Sequence, residues 1–462
     1  MNVRCSRYSA RVLLAIALVP AAHQAAGQGT TVQLPTFGVS IDAEGVLAHR
    51  QVEDAGGQLQ AARNAAAKRK LPQDVAAASK LRKVSLPRLE AALRRRIEAG
   101  EKPTDTERHL AGLTRLRYVF LFPDTRDIVI AGEAGAWVED GVGRAVALES
   151  GRPVLQLDDL CVALRAFPPD RRNAPFIGCS IDPAPEAVTR LQSFQRTVPR
   201  SVSQNERGQV ASQIDRGLRE ALGKSNIQVF GISPRTHLSR VLIEADYRMK
   251  LIAIDLEPPP VRLTTYLGGL QSAPHGMVQR WWFQPDYDGV RVTKDRQAME
   301  LAGQGVKLLT ENLAVGPGGK LLNPGRRPSG ASQRFANAFT RQYPEIAARS
   351  PVFAQLRNEI DLLIAAAFIA REDYYAKAAW MQGVLGDEKS LPTETLPEPR
   401  HAPCAVNVIW KGSRLLAPAG GVSIVPTEAL DPARMVEAQD GQLSAARAGS
   451  AKPDDADRWW WD

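Results

Sequence analysis

Tyr118-Val119-Phe120-Leu121-Phe122, Pro123-Asp124 and Ile128-Val129-Ile130 form the stretch whose reading decides the fold class. Two β-branched and aromatic runs flank a proline turn, which predicts a hairpin. In the same block, about Arg115 to Pro199, Leu157 to Phe167 suits a helix, Phe176 to Ile181 a strand and Pro185 to Arg196 another helix. Hairpins and helices in this mixture predict an α+β fold.

Upstream, Thr31 to Leu47 reads as a hairpin turning at Asp42-Ala43-Glu44-Gly45. Downstream, Gln204 to Gly223 suits a helix. Ile227-Gln228-Val229-Phe230 suits a strand that runs through Ser233-Pro234, as N-cap and first-position proline, into a helix ending near Lys250. Leu251 to Ile254 and Met277 to Glu311 read as a strand and a meander punctuated by Gly289, Gly303 and Gly305. The glycine- and proline-rich Val315 to Gly330 marks a boundary. Beyond it Ala331 to Ala347 and Val352 to Gln382 read as two long helices joined at Ser350-Pro351. Ala405 to Val425 returns to short strands turning at Gly420-Gly421.

The predicted organisation is a signal peptide at 1–27, an N-terminal hairpin and basic helical segment at 28–83, and a mixed α+β domain at 84–312. A linker at 313–330, a helical hairpin at 331–385, short strands at 386–430 and a flexible tail at 431–462 follow. Neither an internal repeat nor a heptad run is present, which excludes solenoids and coiled coils.

With 462 residues, 44% hydrophobic and 24% charged, the chain has material for two or three globular domains, and wholesale disorder is excluded. Four cysteines also exclude a disulfide-dense scaffold. Arg4, Arg7 and Arg11, the apolar run Val12 to Ala22 and the small exit Ala25-Ala26-Gly27 form a secretory signal pattern. The run is about half the roughly 20 apolar residues a membrane span needs and is broken by Pro20. Cys5 precedes the run, so no lipid-attachment cysteine follows it. The expected location is periplasmic or extracellular. Leu362 to Ala370 is the most apolar later segment, and it reads as a buried helix, so no transmembrane segment is expected in the mature chain.

Several chemistries lack their signatures. Gly231-Ile232-Ser233-Pro234-Arg235 misses the second glycine of a nucleophile elbow. Gly316-Pro317-Gly318-Gly319-Lys320-Leu321 has the wrong spacing for a phosphate loop, with Leu321 where a magnesium-holding hydroxyl belongs. Gly303-Gln304-Gly305 lacks the third glycine of a dinucleotide fingerprint. The histidines His23, His49, His109, His237, His275 and His401 are scattered, so no metal site and no cofactor is expected. Cys161 and Cys179 are the natural disulfide pair, against a reading as two buried thiols; a bridge would leave Cys404 free.

Three segments carry candidate function. Ile243 to Lys250 is the densest run of functional groups: Arg240, Glu244 and Arg248 recur every four residues on one helical face, with His237 a turn earlier. His237, Glu244 and Asp246 are candidate acid–base groups, with Arg248 and Lys250 as candidate anion clamps, against a plainer reading as ordinary helix-face ion pairs. Ala61 to Gly100 holds eleven Lys and Arg (Arg63, Lys68, Arg69, Lys70, Lys80, Arg82, Lys83, Arg88, Arg94, Arg95, Arg96) against three acids, on helix formers. It reads as a solvated face, or as a contact for an anionic envelope polymer or nucleic acid, although no nucleic-acid motif and no aromatic residues for base stacking accompany it. Trp459, Trp460 and Trp461, after Asp454, Asp455 and Asp457, read as a docking element for an envelope protein partner or as a cluster folded back on the body.

Four separated stretches share a likeness: His109-Leu110-Ala111-Gly112-Leu113, Gly178-Cys179-Ser180-Ile181-Asp182-Pro183, Glu244-Ala245-Asp246-Tyr247-Arg248-Met249-Lys250 and Leu356-Arg357-Asn358-Glu359-Ile360-Asp361-Leu362. With Asp127 to Gly132 and Gly151 to Leu160, they resemble a family of exported bacterial proteins defined by a domain of unknown function. The likeness runs from about Val84 to Ile369. It implies no activity, cofactor or catalytic residue, and it includes Cys179 without Cys161, which weighs against the disulfide. The functional expectation is a non-enzymatic exported protein that binds a partner or contributes to envelope structure. The alternative is an envelope hydrolase or ligand-binding enzyme using the Glu244 to Lys250 segment.

Overall fold

A computed structural model describes residues 36–169, 175–199, 203, 205–270, 278–312, 314–315, 321–322, 330–405, 407, 417–439, 441–451 and 458–462. The signal-peptide expectation at 1–27, most of the linker 313–330 and the acids Asp454, Asp455 and Asp457 lie outside these residues.

β1 (Thr36–Ile41) and β2 (Leu47–Val52) pair antiparallel, their turn closed by Val46 N donating to Asp42 Oδ1 at 2.7 Å. α1 (Gln58–Lys70) and α2 (Gln73–Ala76) lead to β3 (Ser79–Ser85) and α3 (Leu86–Glu98). The basic segment is therefore interrupted by a strand. Ser85 caps α3 by accepting from Arg88 N, and Pro87 sits in its first turn, which starts a helix there and leaves the preceding residues extended. α4 (Asp105–Arg108), β4 (Tyr118–Phe122), β5 (Asp127–Ala134), β6 (Trp137–Glu139) and β7 (Ala145–Ala147) follow, with β4 and β5 forming the hairpin expected at Tyr118.

Next come α5 (Leu157–Ala166), β8 (Ile177–Pro183), α6 (Pro185–Thr197), α7 (Arg207–Leu222), β9 (Lys224–Phe230) and α8 (His237–Ala253). Thr236, three residues beyond Ser233, is the cap of α8 and accepts from Ser239 N at 3.2 Å. The helix also absorbs Leu251 to Ala253, expected as strand, because these residues are buried as a continuation of its apolar face. The meander is β10 (Val278–Asp286), β11 (Val290–Val292), β12 (Ala298–Leu301) and β13 (Gly305–Asn312), followed by the paired β14 (Ala314–Val315) and β15 (Leu321–Leu322).

The expected pair of long helices is instead α9 (Gly330–Arg341), α10 (Tyr343–Arg349), α11 (Pro351–Arg371) and α12 (Tyr374–Lys377). Pro344 cannot extend α9, so a new helix begins around it, and Asp373 at φ 55° breaks the run after α11. The chain closes with β16 (His401–Pro403), β17 (Ala417–Ile424), α13 (Pro426–Ala429), β18 (Met435–Glu437), α14 (Gln442–Ala448) and β19 (Trp460–Trp461).

The fold is α+β, built on two large sheets. One orders β13-β10-β17-β8-β9-β16, with β10 and β17 parallel and the other pairs antiparallel. The other orders β18-β11-β12-β4-β5-β3-β19. The segments expected as separate short strands and a flexible tail are thus woven into both sheets. Gly420-Gly421, expected as a turn, lies inside β17: a Cβ on Gly420 would sit 1.8 Å from Trp281 O, and one on Gly421 1.8 Å from Cys179 O. Only glycine lets the neighbouring backbones close in on both sides.

Alternation sorts the second sheet's faces. Val84, Val119, Leu121, Ile128 and Ile130 join the main core, while Phe120, Val129 and Trp461 pack with Leu443 of α14 in a separate cluster. α8 lies on β8 and β17, and α5 and α11 pack against α8. α11 is buried from Val352 to Ile369, including its polar residues. Among the described residues no helix is long and apolar enough to cross a membrane.

Candidate functional site

α11 presents Gln355, Arg357, Asn358, Glu359 and Asp361 from an interior helix, and buried polar groups must find partners. Four of them reach outward in different directions. Gln355 Oε1 accepts from Arg144 Nε at 3.0 Å, Asn358 Nδ2 donates to Thr114 O at 3.0 Å, and Asp361 accepts from Tyr287 Oη at 2.8 Å and Arg115 Nε at 3.4 Å. Glu359 points toward the start of α8.

There His237 opens α8 and Asp159 lies in the first turn of α5. His237 Nδ1 is 2.8 Å from Asp159 Oδ2 and 3.1 Å from Oδ1, and Gln156 Nε2 is 3.3 Å from His237 Nε2. These partners assign the Nδ1–H donor to Asp159 and leave Nε2 to accept from Gln156. One ligand atom each from Asp159, His237 and Glu359 lie within 4.8 Å of one another. Both acids are buried, Asp159 at 1% exposure and Glu359 at 3%, and Glu359 Oε2 has no hydrogen-bond donor. Burial, then the Asp159 charge and a side-chain hydrogen bond with Asp159, push the Glu359 carboxyl well up. Burial alone would lower the His237 imidazole, and the Asp159 carboxylate outweighs it and raises the group. Burial and Asp159 also raise the half-buried Asp158. The three side chains come from segments 78 and 122 residues apart in the chain, beyond the reach of spacing arguments. The only sequence signal is that Asp159 and Glu359 each fall within a stretch of the family likeness.

Further along α8, Glu244 and Arg248 join a network below the β1–β2 hairpin. Arg248 donates to Glu257 at 2.7 Å and 3.1 Å and lies 3.4 Å from Glu244, which also pairs with Arg144. Both arginines donate to Phe37 O, at 2.8 Å from Arg144 and 3.3 Å from Arg248, and His49 Nε2 is 3.1 Å from Glu257 Oε2. The Phe37 ring stacks on His49 at 5.4 Å and beneath the Arg248 guanidinium at 5.3 Å. Burial opposes the Glu257 charge, and His49 and Arg248 overcome that and hold its carboxyl below the ordinary range. Arg240 stands between this network and His237; burial lowers it and its Nε has no hydrogen-bond partner.

Asp246 and Lys250 face the other way. Lys250 Nζ donates to Asp246 Oδ2 at 2.7 Å, Ile181 O at 2.9 Å and Gly420 O at 3.2 Å, pinning α8 to the six-stranded sheet. Burial pushes the Asp246 carboxyl up to about 6, against the pull of Lys250. Of the sequence candidates, then, His237 enters a cluster of convergent ligands, Glu244 and Arg248 share one network, and Asp246 and Lys250 form a separate pair. All four of these last residues are buried.

The tryptophans are internal as well: Trp459, Trp460 and Trp461 are 9%, 7% and 6% exposed. β19 pairs with β3, Arg82 lies over the Trp460 ring at 4.6 Å, and Arg82 grips Asp462 at 2.9 Å. Beside α3, a shallow groove of about 380 Å³ is lined by Arg95, Arg96, Glu101, Glu107 and Trp459, and its charges pair across it through Arg96. Cys161, Cys179 and Cys404 are free, buried thiols, so the Cys161–Cys179 bridge is not formed.

No curated protein and no solved structure matches the chain. The segment 179–266, from β8 through α8 to Tyr266, matches the family described as "Protein of unknown function (DUF1598)". It contains the Glu244 to Lys250 motif and nearly all of Gly178 to Pro183, while the Leu356 to Leu362 motif lies outside it. The match over residues 179–266 is consistent with a family defined by a domain of unknown function.

Proposed function

We propose that the chain is an exported protein of the cell envelope that works by binding and not by turnover. The observation that carries this reading is the inward use of the richest run of functional groups: Glu244, Asp246, Arg248 and Lys250 are all buried and bonded to protein partners. An acid, base or anion clamp has to meet its substrate, and these four meet the core. The charge left outside is the basic stretch. Arg63, Lys68, Arg69, Lys80 and Arg94 are exposed, whereas Arg82 and Lys83 are internal, and α1 buries none of its residues. Its partner is an anionic envelope polymer held by counterion release at that surface. With the tryptophans inside the body, no docking role is assigned to them.

The test uses the full chain with dextran sulfate as the probe, together with cell fractionation. Affinity is expected to fall on the order of tenfold or more between low and moderate salt, and to drop in an Arg63→Ser/Lys68→Ser/Arg69→Ser variant. Salt-independent binding would refute the surface, cytoplasmic retention would refute export, and turnover lost in a folded Glu244→Gln variant would refute the non-enzymatic reading.

A further inference from the structure

We propose that Asp159, His237 and Glu359 form a site for one first-row divalent transition cation of the Zn2+ type. This goes beyond the binding role above and does not depend on it.

The geometry comes first. The three candidate ligand atoms lie within 4.8 Å of one another, and tetrahedral coordination with bonds of 2.0–2.1 Å places ligand atoms about 3.3 Å apart. Small side-chain adjustments close the site, with no change of backbone. The three ligands stand on α5, α8 and α11, which pack against one another, so the framework is already assembled.

A second observation is independent of the clustering. Glu359 is 97% buried, one of its carboxylate oxygens lies in the cluster with Asp159 and His237, and its Oε2 has no donor. Two neighbouring carboxyl groups inside a protein need either a shared proton or a cation, because buried like charges repel without solvent to screen them. A divalent ion supplies the missing partner for that oxygen and balances both acids.

The surroundings suit a metal ligand. With Nδ1 turned to the ion, the proton moves to His237 Nε2, which then donates to Gln156 once that amide turns over to present Oε1, the second contact that orients a ligating imidazole. The His237 side chain is 24% exposed, which gives the ion a way in from solvent. One imidazole with two carboxylates favours Zn2+ or Mn2+ over Mg2+ or Ca2+, which prefer all-oxygen sets.

The decisive experiment is equilibrium dialysis of the full chain against Zn2+, with Mg2+ in parallel, read alongside thermal unfolding. The expected result is one tightly held Zn2+ per chain, a midpoint that rises with Zn2+, and little response to Mg2+. Glu359→Gln should fold, its isosteric amide removing the buried charge. It should weaken that ion by more than the roughly 10–100-fold that loss of an outer-shell partner costs. The midpoint of the variant should then ignore Zn2+. Should Glu359→Gln not fold, His237→Gln at the partly exposed position carries the same test. Equal Zn2+ affinity in the parent and the variants would overturn the site, as would a parent chain that binds no Zn2+. Tighter binding of Mg2+ than of Zn2+ would overturn the assigned metal class.

Discussion

Arg248→Met removes the cation at the middle of the network beneath the β1–β2 hairpin. Arg248 is 3% exposed and contributes three close contacts to Glu257 and one to Glu244, whose side chains are 1% and 7% exposed. In the parent protein Arg248 and Arg144 face Glu257, Glu244 and, 3.7 Å from Arg144, the buried Asp140. The variant leaves Glu257 with His49 alone at 3.1 Å, and Glu244 with Arg144. Breaking a buried pair from one side costs about 3–5 kcal/mol, because the remaining charge stays desolvated. Pro35–Asp462 is a unit of about 430 residues, and at about 2.1 cal/mol/K per residue its unfolding entropy is roughly 0.9 kcal/mol/K. The expected fall in Tm by scanning calorimetry is therefore about 3–6 °C. Arg248→Met with Glu257→Gln should recover most of that loss, since neither member then carries an unpaired charge. A single variant within about 1 °C of the parent, or a double variant as impaired as the two losses added, would refute the network as described.

Asp246 sets a pH dependence. Its carboxyl rises from 3.8 to about 6, so the native state holds its proton more tightly than the unfolded chain; the associated stability is complete below 3.8 and is lost as pH climbs through about 6. Denaturant midpoints measured across that range should fall with pH more steeply in the parent than in Asp246→Asn, and parallel profiles would count against it. Trp460→Ala, at 7% exposure and beneath Arg82, should cost about 3–5 kcal/mol in urea unfolding; a change under about 1 kcal/mol would mean that the ring is not packed as described. Burial raises the Cys161 and Cys179 thiols, so both should resist Ellman's reagent in the native protein and react once urea is added. A Cys161–Cys179 peptide found by non-reducing mass spectrometry would contradict the free thiols.

Local periodicity made individual elements legible and left their partners hidden. The hairpin at Tyr118, the helix at Leu157 and the strand before Gly231 could be read because each pattern is complete within a dozen residues. Gly420-Gly421 was misleading: glycine marks a turn and a crowded strand centre alike, and only the carbonyls of Trp281 and Cys179 on either side decide between them. The basic segment misled in a similar way, since charge count does not reveal that Lys83 lies opposite Trp461 in a strand pair or that Arg82 lies over the Trp460 ring. Within the candidate site, the four-residue spacing correctly put Glu244 and Arg248 on one face of α8. It was silent about Asp159 and Glu359, which depend on where α5 and α11 come to rest.

The pairing of β19 with β3 also shapes how the molecule can form. Arg82 and Asp462 are 380 positions apart, yet they meet at the edge of one sheet, and β17 enters the centre of the other between β10 and β8. Contacts of such long separation must be closed against a large loss of chain entropy, which slows folding and delays cooperativity until late. A nascent chain lacking these segments has a gap in one sheet and an open edge on the other. Such exposed backbone is a site for intermolecular pairing, so folding yield should depend on how the incomplete chain is shielded.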